Sequence, residues 1–521
     1  MSEIQRAAQS ALIIIIITLI SKLLGFVREM VIAASFGASS STDAYLIALT
    51  IPAVLFASCS RSIQTAFIPL FNEMLLKESK EEALKFSNSV INIVSLSLFL
   101  ISGCAFIFMP QITMLLSPGF KGEIYHLAIV LARIMIPVGF VWGIVGISNG
   151  LLNSLKIFSI PAAIGISYNV VIIVTAIIFG QWWGIKGLAL GTALGVLSQY
   201  LIQIPSLKKS GYRWRSSLNL KNPVLKKMGI LVLPILASNL VLQLNVVVDR
   251  LLASKLPEGS ISALNFANRL NGFVLGIFVL AFTTVLFPTL SQKFTAKKIG
   301  DFTQIFTGGI RIIMFLTFPA MMIIIMLKVP IISMLFERGA FDRDDTLLTA
   351  GAFLYYGLGL VAFGLREIIN VTFYALQDTR TPVIFETVCL GLNMTLNIIL
   401  VRPMAHRGLA LATSISCTVY VLIMLLFLHR KIKGIDFFGL VFFVGKMAAA
   451  SAVMALSILF GQWLLPPETA SFFYRIIYVG GLSILGCASF IAVSLLLKVE
   501  EIFITCRLIR EKIKLKEKCK M

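Results

Sequence analysis

The sequence predicts an all-α polytopic membrane protein with about fourteen transmembrane helices. Of its 521 residues, 58% are hydrophobic and only 13% are charged, with a mean hydropathy of +0.94. Soluble domains carry about 25% charged residues. Apolar stretches that reach the roughly 20 residues needed to cross a bilayer recur along the whole chain, and several landmarks repeat at a constant spacing. A soluble enzyme, a disordered chain and a collagen-like fibre are therefore excluded.

The connections between the apolar stretches are short and rich in the Gly, Pro and Ser residues typical of turns. None is long enough to hold a separate soluble domain. The predicted spans cover approximately residues 10–34, 44–75, 86–110, 125–152, 159–180, 186–205, 228–251, 263–292, 304–328, 346–375, 383–402, 408–430, 439–463 and 473–498.

An internal duplication relates the first twelve spans. Pro161 and Gly187 begin two successive helices, and Pro382 and Gly408 begin two others after the same interval. Each copy holds six spans, an even number, so we expect parallel repeats that form an N-lobe and a C-lobe around a central cavity. The predicted regions are 1–222 (N-lobe), 223–434 (C-lobe), 435–499 (two extra helices) and 500–521 (a basic tail).

Lysine and arginine in the connections predict the orientation. With a cytoplasmic N-terminus, the cytoplasmic segments hold roughly three times as many basic residues as the opposite ones, as the positive-inside rule requires. Both termini are therefore expected in the cytoplasm. The tail mixes Ile and Leu with lysines, which is typical of an orientation signal or of a helix attracted to anionic lipid.

Motifs for metal or nucleotide chemistry are missing from the sequence. The seven cysteines form no CxxC pair, the three histidines have no ligand spacing, and no GxxxxGK[ST] or HExxH occurs. No metal and no cofactor are expected. Asp342, Asp344 and Asp345 resemble a DxD metal motif, although such a run is typical of a solvated loop.

Charges inside the apolar spans are the candidate functional residues, because each costs about 2.5–3.5 kcal/mol at the bilayer centre on insertion scales. Lys22 and Arg28 interrupt the first span, Asp43 begins the second, and Arg61 lies midway along it. Arg269 shares a helical stripe of small and polar residues in the eighth span. Unneutralised cations near the midplane predict an anionic cargo, and arginine forks suit phosphate.

Six short motifs occur in chain order, at segments 21–29 (SKLLGFVRE), 42–45 (TDAY), 66–69 (AFIP), 117–120 (SPGF), 268–270 (NRL) and 377–382 (QDTRTP). With these motifs the chain resembles the MurJ/MviN lipid II flippase family of the multidrug/oligosaccharidyl-lipid/polysaccharide exporter superfamily. The resemblance runs nearly end to end.

The resemblance implies a bacterial inner-membrane flippase, not an enzyme, that moves undecaprenyl-pyrophosphate-linked peptidoglycan precursor by alternating access for cell wall biogenesis. It implies a central cationic cavity in which Lys22, Arg28, Asp43 and Arg269 occupy the family's matching positions. At the position of Lys22 the family often has arginine. Some members have an arginine pair in the second helix, which this chain lacks, and Arg61 stands nearby. The expected partners are the lipid-linked glycan, membrane lipids and the cell-wall synthesis machinery, without nucleic acid.

Three alternatives stay open. The chain could move another polyprenyl-linked saccharide, export drugs or cations as an antiporter, or act as a membrane glycosyltransferase through the three aspartates above. Coupling to the membrane potential or to a monovalent cation is expected, with Asp249, Asn393 and Asn397 as candidate cation ligands.

Overall fold

A computed structural model describes residues 3–216, 223–432, 434–465, 471–499 and 501. Within these residues the regular structure is helical, which confirms the all-α fold class. The predicted basic tail, apart from Glu501, lies outside them. The helices are α1 (Glu3–Phe36), α2 (Ser40–Pro52), α3 (Ser58–Lys77), α4 (Lys80–Ile107), α5 (Met109–Leu116), α6 (Gly122–Met135), α7 (Gly139–Ser154), α8 (Ser159–Trp183), α9 (Ile185–Leu201), α10 (Ile204–Lys209), α11 (Pro223–Ala253), α12 (Ser260–Thr295), α13 (Ile299–Phe336), α14 (Arg343–Leu358), α15 (Leu360–Ala375), α16 (Arg380–Met404), α17 (His406–Lys431), α18 (Phe437–Leu464) and α19 (Phe472–Leu496).

Helices long and apolar enough to cross a membrane dominate the described residues. Eleven such spans occur there, or twelve if α14 and α15, which meet at a bend of 46°, form one broken span. The polytopic character is thus confirmed, whereas the predicted count of fourteen is not. The second predicted span is continuous from Ser40 to Lys77, although Pro52 and a π-helical turn at Ala53–Ala57 interrupt its α-helical geometry.

The chain divides into two compact units. The first contains Met1–Ser262 and the short loop Arg338–Asp342. Its core includes a stack of phenylalanines on α3 and α4, in which Phe67 lies 5.3 Å from Phe71 and 5.7 Å from Phe86 between ring centroids. The stack buries large apolar side chains where these helices meet α7, which stabilises the unit.

The second unit contains Ala263–Glu337 and Arg343–Met521. Helix α13 is its central element and packs against α14, α15, α18 and α19. Phe315 of α13 meets Phe490 of α19 at 5.6 Å between ring centroids, so the two extra helices are joined to the repeat by apolar packing. The lobe boundaries inferred from the duplication remain a prediction.

The duplication is visible in the helix boundaries. Helices α7, α8 and α9 begin at residues 139, 159 and 185, and α15, α16 and α17 begin at 360, 380 and 406. All three pairs are separated by the same interval, which also separates Pro161 from Pro382. Two similar stretches of sequence therefore fold into the same succession of helices.

Backbone conformation repeats at the turns between these helices. Lys156 and Gln377 both adopt a left-handed conformation, with φ of 61° and 58°. Each follows a helix whose end is closed by a 6→1 hydrogen bond, from Ile157 N to Leu152 O and from Asp378 N to Phe373 O. Both turns are thus Schellman-type C-caps, which satisfy the last helix carbonyls.

Candidate substrate-binding site

Arg28 lies at the centre of a polar cluster in the first unit. Its Nη1 donates to Asn169 Oδ1 at 3.0 Å, and its Nη2 donates to Glu29 Oε1 at 2.5 Å. The guanidinium carbon sits 5.6 Å from the centroid of the Tyr168 ring, a cation–π distance. Only 14% of the Arg28 side chain and 5% of the Glu29 side chain are exposed. The cluster therefore holds a largely desolvated ion pair within α1 and joins α1 to α8 through the hydrogen bond between Arg28 and Asn169.

Asn169 anchors this cluster from the α8 side. Its Nδ2 donates to the backbone carbonyl of Ser21, at 3.0 Å, while its Oδ1 accepts from Arg28. The sequence prediction missed Asn169 and Tyr168. Their signal was present, because an adjacent Tyr and Asn interrupt an otherwise apolar span, and polar groups in such spans seek partners inside the protein.

Lys22 lies on the same helix as Arg28 but in a different environment. Its side chain is exposed, and the ion pairs seen among the described residues do not include it. The structure thus separates the two α1 cations: Arg28 is paired with Glu29 and hydrogen-bonded to α8, and Lys22 is accessible.

Asp43 is buried at the start of α2, and its partners are backbone and hydroxyl groups. Its carboxylate accepts from Gly259 N at 2.9 Å, from Ser262 N at 2.7 Å and from Ser262 Oγ at 2.5 Å. A carboxylate at this position satisfies the free N–H groups at the start of α12 and complements the helix dipole. Asp43 therefore caps α12, and the ion pairs found among the described residues do not join it to a predicted arginine.

The two remaining predicted residues are accessible. Arg61 is exposed on α3, where its backbone carbonyl accepts from Thr65 Oγ1 at 2.9 Å. Arg269 is exposed on α12 beside exposed Asn268 and Gly272. Of the predicted polar stripe, Arg269 and Gly272 are thus accessible, whereas Asn265 and Gly276 are half-buried.

A second arginine cluster lies in the second unit. Arg366 Nη2 donates to Glu386 Oε1 at 2.8 Å, Asn370 Nδ2 donates to the same oxygen at 3.1 Å, and Tyr420 Oη donates to Asn370 Oδ1 at 2.5 Å. The Arg366 guanidinium also lies 5.7 Å from the Tyr420 ring centroid. Glu386 comes from a neighbouring helix, so this cluster ties α15, α16 and α17 together.

The aspartates of the DxD-like run stand at the start of α14. Asp344 and Asp345 occupy its first turn, where carboxylates are stabilised by the helix dipole. Over the described part of the chain, no three His, Cys, Asp or Glu side chains come together as metal ligands. The run is explained as a helix start.

Long apolar helices, a duplicated arrangement and arginines held inside the spans define a polytopic membrane transporter. A family model described as "Lipid II flippase MurJ" matches residues 32–480. The chain is 31% identical to a probable lipid II flippase MurJ of Rickettsia prowazekii, covering 94% of this chain and 98% of that one. It is 32% identical to a protein of the same name from Vibrio cholerae, with coverage of 95% and 97%.

Solved structures agree with this grouping. One described as "Lipid II flippase MurJ, inward closed conformation" matches with a TM-score of 0.80 and 28% identity, over 94% of this chain and all of the other. An inward-facing multidrug resistance MATE family transporter matches with a TM-score of 0.66 at 15% identity, over 81% and 98%, and shares the fold alone. The chain belongs to the lipid II flippase MurJ family.

Proposed function

We propose that this chain is a lipid II flippase, which moves undecaprenyl-pyrophosphate-linked peptidoglycan precursor from the inner to the outer leaflet for cell wall biogenesis. The observation that carries the proposal is the family match over residues 32–480, together with relatives that the chain covers almost completely. The protein is a multi-pass inner-membrane transporter and not an enzyme. The cytoplasmic placement of both termini and an association with the cell-wall synthesis machinery remain part of the proposal.

In this proposal Arg28 binds the pyrophosphate together with Lys22, Arg61 and Arg269. An arginine offers five N–H donors, and the contacts described above use one from each terminal nitrogen of Arg28. A phosphate oxygen can therefore replace the amide of Asn169 while Glu29 remains as the counter-ion. The exposed side chains of Lys22, Arg61 and Arg269 can approach phosphate at little desolvation cost.

Asp43 has a different part in the proposal. Its three hydrogen bonds hold the start of α12, the helix that carries Arg269. We expect alternating access to break and re-form this contact, so that Asp43 acts on closure rather than by touching phosphate. A buried carboxylate that loses such partners raises the free energy unless water or a cation reaches it. The contact is therefore suited to a part of the protein that alternates between two conformations.

The driving force has two candidate sources. Moving one charge across 100 mV is worth about 2.3 kcal/mol, so a doubly charged pyrophosphate gains at most about twice that on moving outward. A monovalent cation is the other source. Asn397 Nδ2 donates to Asn393 Oδ1 at 3.0 Å, and Asn393 Nδ2 lies 3.5 Å from Thr413 Oγ1. These oxygens on α16 and α17 form a candidate cation site, and Asp249 of the first unit is a separate candidate ligand.

The test is transport in vesicles that contain the purified protein and fluorescent lipid II, with complementation of cells depleted of their own lipid II flippase. Arg28→Ala and Arg269→Ala should each lower flipping at least about a hundredfold, because several charge-assisted hydrogen bonds of about 1.5–3 kcal/mol are lost. Both variants should still insert into the membrane, although Arg28→Ala should also lower stability because the buried Glu29 carboxylate loses its arginine.

Arg133→Ala is the matched control. Arg133 lies on α6, where its Nε donates to Phe106 O at 3.3 Å and its guanidinium covers the Phe106 ring at 5.2 Å. We expect this variant to flip lipid II normally. Full activity of Arg28→Ala and Arg269→Ala would refute the cationic site, whereas a parent protein that never moves lipid II would refute the cargo.

A further inference from the structure

The two helices outside the duplication form a cavity with α13 inside the second unit. The cavity has a volume of about 530 Å³ and is lined by Pro330, Ser333, Gln462, Tyr478 and Val479, among others. That volume is within the 300–1,000 Å³ typical of sites for small ligands. The first repeat lacks counterparts of α18 and α19, so the cavity belongs to the C-terminal addition.

A proline explains why α13 leaves space here. Pro330 has no N–H with which to close the helical hydrogen bond to Met326 O, four residues earlier. The backbone is non-helical at Leu327, with φ of −113° and ψ of 18°. Gln462 Nε2 of α18 donates to the free Met326 carbonyl at 3.2 Å. The kink is thus stabilised from outside the helix, and α18 is held beside the opening.

The rim of the cavity carries two guanidinium groups and one carboxylate. Arg475 Nη2 donates to Glu337 Oε1 at 3.0 Å, and Arg343 Nη1 lies 3.5 Å from Glu337 Oε2. Thr346 Oγ1 also donates to Glu337, at 3.0 Å. Burial would raise the pKa of Glu337, but its hydrogen bonds and the two arginines lower that pKa below its ordinary value. The charged residues of the lining therefore leave one positive charge.

The position of Arg475 on its helix is electrostatically unfavourable for a positive charge. It occupies the first turn of α19, whose dipole disfavours a cation. One Glu337 carboxylate serves both arginines, so neither guanidinium has a carboxylate to itself. Each retains N–H donors for an acceptor in the cavity.

A buried hydroxyl lies below this rim. Tyr478 is 5% exposed, lines the cavity, and makes no hydrogen bond through its hydroxyl in the described part of the structure. Its ring stacks on Tyr474, with 6.1 Å between centroids, which fixes its direction. A buried hydroxyl without a partner costs free energy, so an acceptor entering the cavity would gain a ready donor.

We propose that this cavity binds the phosphate headgroup of a membrane lipid, with the phosphate between Arg475, Arg343 and the Tyr478 hydroxyl and a chain against the apolar wall at Pro330 and Val479. The site lies where α13 ends and α19 begins, and the ends of spans of this length are expected near the headgroups. Its chemistry suits a diacyl phospholipid with net negative charge or a polyprenyl phosphate. The inference does not depend on lipid II being the transported cargo.

The experiment measures binding of fluorescent phosphatidylglycerol to the detergent-purified full-length protein. Arg475→Gln should raise Kd at least about tenfold, and Tyr478→Phe, which keeps the ring, should raise it about threefold. Lys186→Gln removes an exposed cation from α9 in the first unit and should leave Kd unchanged. Unlabelled undecaprenyl phosphate, phosphatidylcholine and inorganic phosphate are the competitors.

Competition by undecaprenyl phosphate that exceeds competition by phosphatidylglycerol would assign the site to polyprenyl lipids, and the reverse order would assign it to phospholipids. Displacement by inorganic phosphate alone at micromolar concentration would overturn the lipid proposal. Parent-like Kd values in both Arg475→Gln and Tyr478→Phe would also overturn it. Because Tyr478→Phe is nearly isosteric, that variant remains informative if Arg475→Gln fails to fold.

Discussion

The turn before α8 and the turn before α16 occupy corresponding places in the two repeats, with the same left-handed residue and the same capping hydrogen bonds. Their side chains differ. Ile157 of the first turn packs on an apolar core, whereas its counterpart Asp378 accepts from Lys431 Nζ at 2.5 Å and from Thr381 N at 3.0 Å. Backbone geometry was retained between the repeats while polar contacts were not.

The arginine clusters show the same divergence. Arg28 pairs with its chain neighbour Glu29 on α1, so the ion pair can stay together if α8 moves. Arg366 pairs with Glu386 on another helix, so this ion pair holds helices in place. The same four residue types, Arg, Glu, Asn and Tyr, thus form a contact suited to exchange in one unit and a structural tie in the other.

The largest expected effect on stability tests whether the two repeats share the same backbone geometry at Gly187 and Gly408. Gly187 and Gly408 have no room for a Cβ, which would lie 2.5 Å from Phe179 O and 2.3 Å from Leu400 O. Gly187→Ala and Gly408→Ala should each lower the free energy of unfolding by about 3 kcal/mol or more, seen as a lower thermal midpoint in detergent.

Gly391→Ala is the control for these glycines, because open space surrounds it inside α16. It should stabilise the helix by roughly 0.5–1 kcal/mol. If only one of Gly187→Ala and Gly408→Ala were destabilising, the two glycines would not occupy equivalent positions in the two repeats.

The next effect separates the two arginine clusters. Glu386→Gln should lower the free energy of unfolding by about 2 kcal/mol and leave lipid II affinity unchanged. The loss is smaller than for a fully buried ion pair, because Arg366 is partly exposed. Glu29→Gln should lower stability similarly but strengthen lipid II binding, because Arg28 loses its counter-ion. Thermal unfolding and a lipid II binding titration on both variants check this. If lipid II affinity changed in Glu386→Gln and not in Glu29→Gln, the Arg366 cluster would be the binding contact and the Arg28 cluster the structural tie.

The smallest effect concerns pH at the second turn. Although burial would raise the pKa of Asp378, hydrogen bonds from Lys431 and Thr381 hold it at about 2. A depressed pKa stabilises the folded state above the unfolded pKa of about 3.9. Asp378→Asn should therefore cost at most about 1 kcal/mol, since Lys431 is nearly half exposed and screened.

The difference in thermal midpoint between the parent and Asp378→Asn should stay constant from pH 8 to 5. It should shrink as the pH falls from 4 towards 2, because Asp378 then becomes protonated in both states. A difference that grew on acidification would show that the ion pair does not stabilise the turn.

Much of the candidate site was predictable, but its partners were not. Arg28 is conspicuous because its charge interrupts an apolar span. Asn169, its hydrogen-bond partner, is separated from it by 141 residues, and nothing in local sequence joins the two. Arg366 shows the same limit: its chain neighbour is Glu367, yet the guanidinium hydrogen-bonds to Glu386 on the neighbouring helix. Adjacency on a helix therefore does not decide the partner, because Arg28 pairs with its chain neighbour Glu29 whereas Arg366 pairs with Glu386.

Sequence by itself determined the membrane environment, the duplication and the identity of the intramembrane cations, because hydropathy and repetition are properties of the chain's order. Tertiary structure alone decided which charges are neutralised, that Asp43 caps α12, and that α18 and α19 form a cavity with the kinked α13. These outcomes depend on contacts between distant helices, and in a low-dielectric interior the energy of a charge is set by the groups that packing brings within a few ångströms of it.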